Sequence, residues 1–391
     1  MDQRVTNRSI ESRTLDTLVR NAAGHLLTVQ NKDGSFPAGH NGPYGHRETP
    51  IRNTAHVVCL LALLRMRRDD TRYDTRHDTQ DDTRYDDAAR RAIGYLLKAD
   101  GELRPAGGTY TTRLSGGKDR CNGLIGQAWV IEALVTAAAA FDRPDCYDAA
   151  EALFLLHPRD ARTAVWHRVE VDGTILSPDP TFNHQLWFAA AASLLHKTRN
   201  AREHVLAFLR VVASRVDQYR DGVLFHEAGL GSLTGYLGTG PRRFVSELRS
   251  RLRQRRKRAD LYAKSVGYHG FNLYAYAMLH QAFPGESLWH TNRFRRMIRV
   301  CDKPTFQETL AGNAAEYGYR YNISGIEIAY ALEELGFPSG VQPWLQRQLD
   351  QTCREPARPL CGGAADEATA AARIYQAARI TGVYEVDCGR A

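Results

Sequence analysis

None of the seven cysteines in this 391-residue chain (Cys59, Cys121, Cys146, Cys301, Cys353, Cys361 and Cys388) falls in a CxxC pair. Their odd number argues against a complete disulfide framework, so reduced thiols are expected. No window approaches the roughly 18 uninterrupted apolar residues that a membrane span needs. The opening "MDQRVTNRSIESRTLDT" has no apolar signal core, and the expectation is a cytoplasmic chain without a transmembrane segment. Strand-like alternation is scarce, confined to "AVWHRVEVDGTIL" (164–176) and "QYRDGVLFHE" (218–227), each with a D-G turn. Negative charge is outweighed: 52 Lys and Arg face 44 Asp and Glu, a formal net charge of +8. That balance favours an anionic partner such as an acidic glycan, a nucleic acid or a phospholipid surface.

What the chain does have is helical periodicity and 43% hydrophobic residues, enough for a sizeable core. Helical patterns arrive in pairs. "AREHVLAFLRVVASRV" places Val205, Leu206, Leu209, Val212 and Val216 on one stripe, whereas "NGLIGQAWVIEALVTAAAAF" is apolar nearly all round and must be enclosed by other helices. Outer and inner helices are expected at 14–29 and 50–65, 86–98 and 122–141, 145–156 and 183–197, 199–217 and 268–283, 287–301 and 324–336, and 342–354 and 366–381. Six such hairpins predict one all-α domain over 1–391, an (α/α)6 toroid with β-hairpin excursions at the rim.

In a toroid every outer-to-inner connection emerges on one face, and here those connections are the long ones, the place where a site is expected. The mouths of the inner helices repeat one recipe of acid, amide, imidazole and aromatic. They offer Glu48, Arg52, Asn53 and His56; Asp119, Cys121, Asn122 and Gln127; Asp179, Asn183, His184, Gln185 and Trp187; Tyr268, His269 and Asn272; and Glu316, Tyr319, Tyr321 and Glu327. His226, at the end of the second hairpin pattern, joins them as a substrate-binding candidate. Asp119, Asn122 and Asn183 equally suit helix N-caps, and His56 and His280 suit satisfied core positions. Proline on both sides makes Asp179 a poor simple cap.

The pairing pattern, with "NGLIGQAWVIEAL" and "DPTFNHQLWFAAAASLL", resembles the six-hairpin glycosidase superfamily, in particular its unsaturated uronyl hydrolases. The resemblance implies a glycoside hydrolase without a cofactor, acting on an acidic, uronate-containing or phosphate-bearing glycan. Asp119 and Asp179 are then matched to the acid and base, with Asn122, Asn183, His184, Gln185 and Trp187 as the substrate wall. A catalytic carboxyl needs its pKa raised, which burial beside Trp129, Trp187 and Phe188 would do. An inactive glycan-binding protein is a further possibility.

A second resemblance lies in "AAGHLLTVQNKDGSF", which is similar to the glutamine-aromatic turn of terpenoid cyclases and prenyltransferases, also α/α toroids. Physically, Gln30 would cap the outer helix, Asp33-Gly34 would turn the chain and Phe36 would plug back. Cyclase chemistry needs an acidic DxDD cluster, which is absent from the helix mouths. Prenyltransferase chemistry needs zinc, for which Asp119, Cys121 and His269 are imperfectly placed candidates, two hairpins apart. Of two charged runs, 69–87 reads as a solvated low-complexity insertion. The other, Arg242–Lys264, reads as an Arg-rich helical flap able to meet an anionic glycan or an anionic surface, not nucleic acid, because no stacking motif accompanies it.

Overall fold

The computed structural model describes residues 13–68, 79–114, 117–226 and 258–388. Its helices are α1 (Leu15–Thr28), α2 (Ile51–Arg68), α3 (Thr79–Leu97), α4 (Gly123–Phe141), α5 (Pro144–Leu155), α6 (Phe182–Ser193) and α7 (Arg199–Val211). They continue as α8 (Tyr262–Gly267), α9 (His269–Ala282), α10 (Asn292–Arg299), α11 (Pro304–Ala311), α12 (Ser324–Glu334), α13 (Val341–Thr352) and α14 (Glu367–Ala372). The last runs on as a 3-10 helix, Arg373–Arg379.

Helices α2, α4, α6, α9, α12 and the 373–379 segment each pack on the next, and the last closes on α2. This is the closed inner ring of an (α/α)6 toroid. Its helices have no solvent face: in α4 every residue from Gly123 to Ala137 is buried. By length and composition α4 could cross a membrane, but here it is enclosed between α2, α5 and α6. The outer helices bury one stripe only. In α7 that stripe is Ala201, Val205, Phe208 and Leu209, at the three- and four-residue spacing of one helix face. Each such Val, Leu or Phe taken out of water contributes about 1.5–3 kcal/mol.

Several expectations need correction. The run at 69–87 is not a free insertion throughout, since Thr79–Asp87 forms the first half of α3. Buried Tyr85 donates its hydroxyl to the Arg20 carbonyl, and Asp86 is clasped by Arg65 and Arg68, so the alternating charges hold a helix on the ring. Cysteines are not all reduced either. Strand β5 (Glu385–Val386) returns to pair with β1 (Arg13–Thr14), which carries the tail past α13 and joins Cys388 to Cys353, 35 residues apart. The five other cysteines are free and buried.

The hairpin at 164–176 is present as β3 (Val165–Val169) and β4 (Ile175–Pro178), with β2 (Arg159–Asp160) added at the edge of β3. The pattern at 218–227 reduces to a single bridge, Gln218 to Leu224, around the Asp221-Gly222 turn. Residues 242–257 of the Arg-rich flap lie outside the described residues. The Gln30 turn forms largely as its chemistry dictates. Gln30 donates to the carbonyls of Gly34 and of Ala88 on α3, Asp33 accepts from Ser35, and Phe36 is buried.

Candidate active site

On the loop face the ring opens into an inner cavity of about 190 Å³, which continues into an outer chamber of about 670 Å³. Arg113, Lys118, Thr181 and His184 line both and form the neck between them.

The best-defined group at this neck is an aspartate–histidine pair. Asp179 is buried and its Oδ2 lies 2.9 Å from His184 Nδ1, on the first turn of α6. The same oxygen accepts the Leu124 amide, and Oδ1 accepts that of Thr181. Burial alone would raise this carboxyl, but the adjacent His184 imidazole and its hydrogen bond, with the two amides, hold it down at about 2. An ionised carboxylate can only accept, so Nδ1 of His184 is the donor and Nε2 is left for a ligand. Gly123 makes the approach possible: its φ is +60°, and a Cβ there would stand 2.4 Å from Asp179 Oδ2 and 2.8 Å from His184 Nδ1.

Besides Arg113 at the neck, two arginines reach the inner cavity, each backed by a buried acid. Arg52 pairs with Glu48 through both carboxylate oxygens, at 3.1 and 3.2 Å, lies 4.2 Å above the Trp129 ring and donates Nε to His56. Burial raises the Glu48 carboxyl, with Arg52 opposing, while Arg52 stays charged. Arg373 donates to the carbonyls of Tyr321 and Asn322 and to Glu327. Burial lifts Glu327 to about 8 despite Arg373, and its Oε2 has no partner.

One wall is aromatic, formed by Tyr44, Tyr268, Phe271 and Tyr321. The Tyr44 and Tyr268 hydroxyls are 2.7 Å apart, and Tyr321 donates to Asn41 Oδ1. Gly42 packs against Tyr321 so closely that a Cβ would lie 2.4 Å from its ring. His226 lies on Tyr268 with ring centres 4.1 Å apart, and burial, Lys264 and His184 bring it down to about 3, so it is neutral.

Of the candidates read from the sequence, Arg52, Asn122, Asn183, His184, His226 and Tyr268 line the inner cavity together. Asn183 carries a buried, unpartnered Oδ1. Asp119 and Asp179 line the outer chamber with Glu170. Asp119, expected as an acid or base, is held by Arg113 and Arg168 at 2.6 Å each and accepts the Gly123 amide.

Other candidates prove to be supports. Glu48 sits behind Arg52. Asn53 donates to the Pro37 carbonyl, and Gln185 bonds both the amide and the carbonyl of Trp166. Trp187 is buried behind Phe271, donating to its carbonyl and stacking on it. Glu316 is exposed and outside the lining. His269 has both ring nitrogens engaged, Nδ1 by the Leu224 amide and Nε2 by the Met297 carbonyl on α10, so it does not join Asp119 and Cys121. Among the described residues no three His, Cys, Asp or Glu side chains converge as a metal site. Sequence reasoning missed Arg373, Tyr44, Arg113 and Lys118. A lone arginine in the small-residue run "AAARIYQAARI" was the available signal for the first.

The architecture is that of the six-hairpin, glycosidase-fold toroids. Similar solved structures include a cellobiose 2-epimerase from Spirochaeta thermophila DSM 6192, at 15% identity over 93% of this chain and 97% of that one, TM-score 0.54. Another is a family 76 glycoside hydrolase from a bovine Bacteroides thetaiotaomicron strain, at 9% identity over 94% and 77%, TM-score 0.55. At these identities the likeness is one of fold. Archaeal glycosylation protein Q of Haloferax volcanii is 36% identical over 377 residues, 94% of this chain and 97% of that protein. The chain belongs to the family of archaeal glycosylation protein Q. No family model matches it.

Proposed function

We propose that this protein is a carbohydrate-converting enzyme that moves a proton at a carbon beside the carbonyl of an open-chain sugar, as an epimerase or isomerase, and that its sugar is acidic. The observation that carries the reading is the Asp179–His184 pair opening into a cavity whose described lining holds imidazoles, arginines and amides but no carboxylate. The names of a similar protein and of the fold neighbours, a glycosylation protein, an epimerase and a glycoside hydrolase, support carbohydrate chemistry.

In this reading His184 Nε2 takes the proton from carbon, and its positive charge is balanced by Asp179, as in other carboxylate-oriented imidazoles. The electrons move into the carbonyl, giving an enediolate whose oxygen faces the Arg52 and Arg373 forks. Neutral His226 is a second imidazole in the same cavity, able to exchange a proton with the intermediate. Return of a proton to the same carbon epimerises the sugar, and return to its neighbour isomerises it. Aromatic faces of Trp129 and Tyr268 hold the ring or chain by stacking.

Hydrolysis of a uronate-containing glycan is the second reading, favoured by Asp119, Glu170 and Asp179 lining the outer chamber. Against it stand the engagements of all three: Glu170 accepts the amides of Arg120 and Cys121, Asp119 is clasped by Arg113 and Arg168, and the Asp179 carboxyl is held down, the opposite of what a general acid requires. Incubating aldoses, hexuronates and uronate-containing oligosaccharides with the protein in D2O decides between them. Proton transfer places deuterium on a sugar carbon, as read by NMR, and His184→Ala abolishes it. Release of a reducing end without carbon-bound deuterium would establish hydrolysis instead.

A further inference from the structure

The geometry points to a built oxyanion subsite at the neck, formed by His46, Arg113 and Lys118, that holds a carboxylate or phosphate of the substrate while its reacting carbon lies at His184. The inference rests on the carbohydrate reading above and specifies the class of sugar.

The argument starts from which cations are already engaged. Arg52 meets Glu48 through both oxygens, and Arg373 bonds two carbonyls and Glu327. Arg168, in the outer chamber, has its donors on Asp119 and Ser177. These groups polarise a ligand but have few donors to give to an added anion. The neck differs. Among the described residues Lys118 makes no ion pair, and its one hydrogen-bond neighbour is His46 Nε2 at 3.3 Å. Arg113 binds Asp119 through Nε and Nη2, and among the described residues Nη1 has no hydrogen bond. His46 Nδ1 is buried and unpartnered.

Three basic side chains from two different loops thus face one another with uncommitted donors. The loops are fixed in that relation by the bridge between Glu48 and Arg113. Burial, Lys118 and Arg113 hold the His46 imidazole below its ordinary value, so the positive charge here is that of Lys118 and Arg113, and an anion between the three would meet their free donors and offset that charge. The position suits a substrate group, because Arg113 and Lys118 border the same neck as His184. An inner cavity of about 190 Å³ is smaller than ordinary drug-sized ligand pockets. It therefore suits one sugar unit, with the anion at its mouth and any remaining chain in the outer chamber.

The test is binding at low salt of three probes, glucose, glucuronate and glucose 6-phosphate, by calorimetry or ligand-observed NMR. The expected result is that one or both anions bind at least tenfold tighter than glucose. That preference falls when salt is raised. Lys118→Glu abolishes it and His46→Ala weakens it, while Arg120→Ala, which removes an exposed cation outside both linings, leaves it intact. Preference for glucuronate assigns the subsite to a sugar carboxylate, and preference for glucose 6-phosphate assigns it to a phosphate. Equal binding of all three probes, or a preference that survives Lys118→Glu in a folded variant, overturns the subsite. Failure of the carbohydrate reading shows separately, as no sugar binding at all together with no deuterium exchange in any sugar.

Discussion

The two chambers meet at one neck yet treat their charges differently. In the outer chamber the acids are tied down: Asp119 by two arginines and the Gly123 amide, Glu170 by two further amides. In the inner cavity the acids are withdrawn behind the wall, at Glu48, Glu327 and Asp179, and what faces the space is the basic or neutral partner of each: Arg52, Arg373 and His184. Residue type alone does not make a catalyst. A group clasped by several donors holds structure, and one oriented by a buried partner with an atom left free can react.

The largest effect that would sharpen this contrast is at His184. His184→Ala is expected to lower turnover by about 10³-fold, within the span of general base catalysis, with the fold retained by circular dichroism. Asp179→Asn comes next. It removes the charge that orients the imidazole, and a loss on the order of 10²-fold is expected from the wrong tautomer and orientation.

Asp179 also gives a pH signature. Its folded value, about 2, is below the ordinary unfolded value near 3.9, so the stabilisation is present above about pH 4 and lost as pH falls toward 2. Denaturation across that window should show about 2–3 kcal/mol of acid-labile stability in the wild type, absent from Asp179→Asn. Gly123→Ala should cost about 1–3 kcal/mol of stability through its positive φ, and lower turnover by displacing His184. The smallest effect is predicted for Asp119→Asn, which keeps its capping oxygen: turnover within about threefold of wild type, and a loss of about 1 kcal/mol from the weakened arginine clasp. A loss at Asp119 as large as that at His184 would break the comparison.

Much of this was legible in the chain. Helices apolar on every side, such as α4, can only be an inner ring, and the length asymmetry of the connections pointed to the loop face. "DPTFNH" at a helix mouth drew attention to Asp179 and His184, which the fold brings into contact. Their division of labour was not legible, because it depends on a 2.9 Å contact and on a glycine, Gly123, contributed by another helix.

Direction within fully buried helices was equally hidden. In α6, Asn183 and His184 reach the cavity while Gln185 and Trp187 turn away, and successive residues 100° apart on an all-apolar helix carry no pattern to tell them apart. Glu48 attracted attention as an acid at a mouth, yet its place four residues before Arg52 makes it that arginine's partner. Arg373 was concealed among alanines, where only its burial against Glu327 reveals what it does.

The most direct measurement of the central claim is deuterium wash-in from D2O into a bound sugar, followed side by side for wild type, His184→Ala and Asp119→Asn. Carbon-bound deuterium in the wild type and in Asp119→Asn, and none in His184→Ala, is the predicted result. Exchange that persists without His184 but disappears without the Asp119 carboxylate would contradict it.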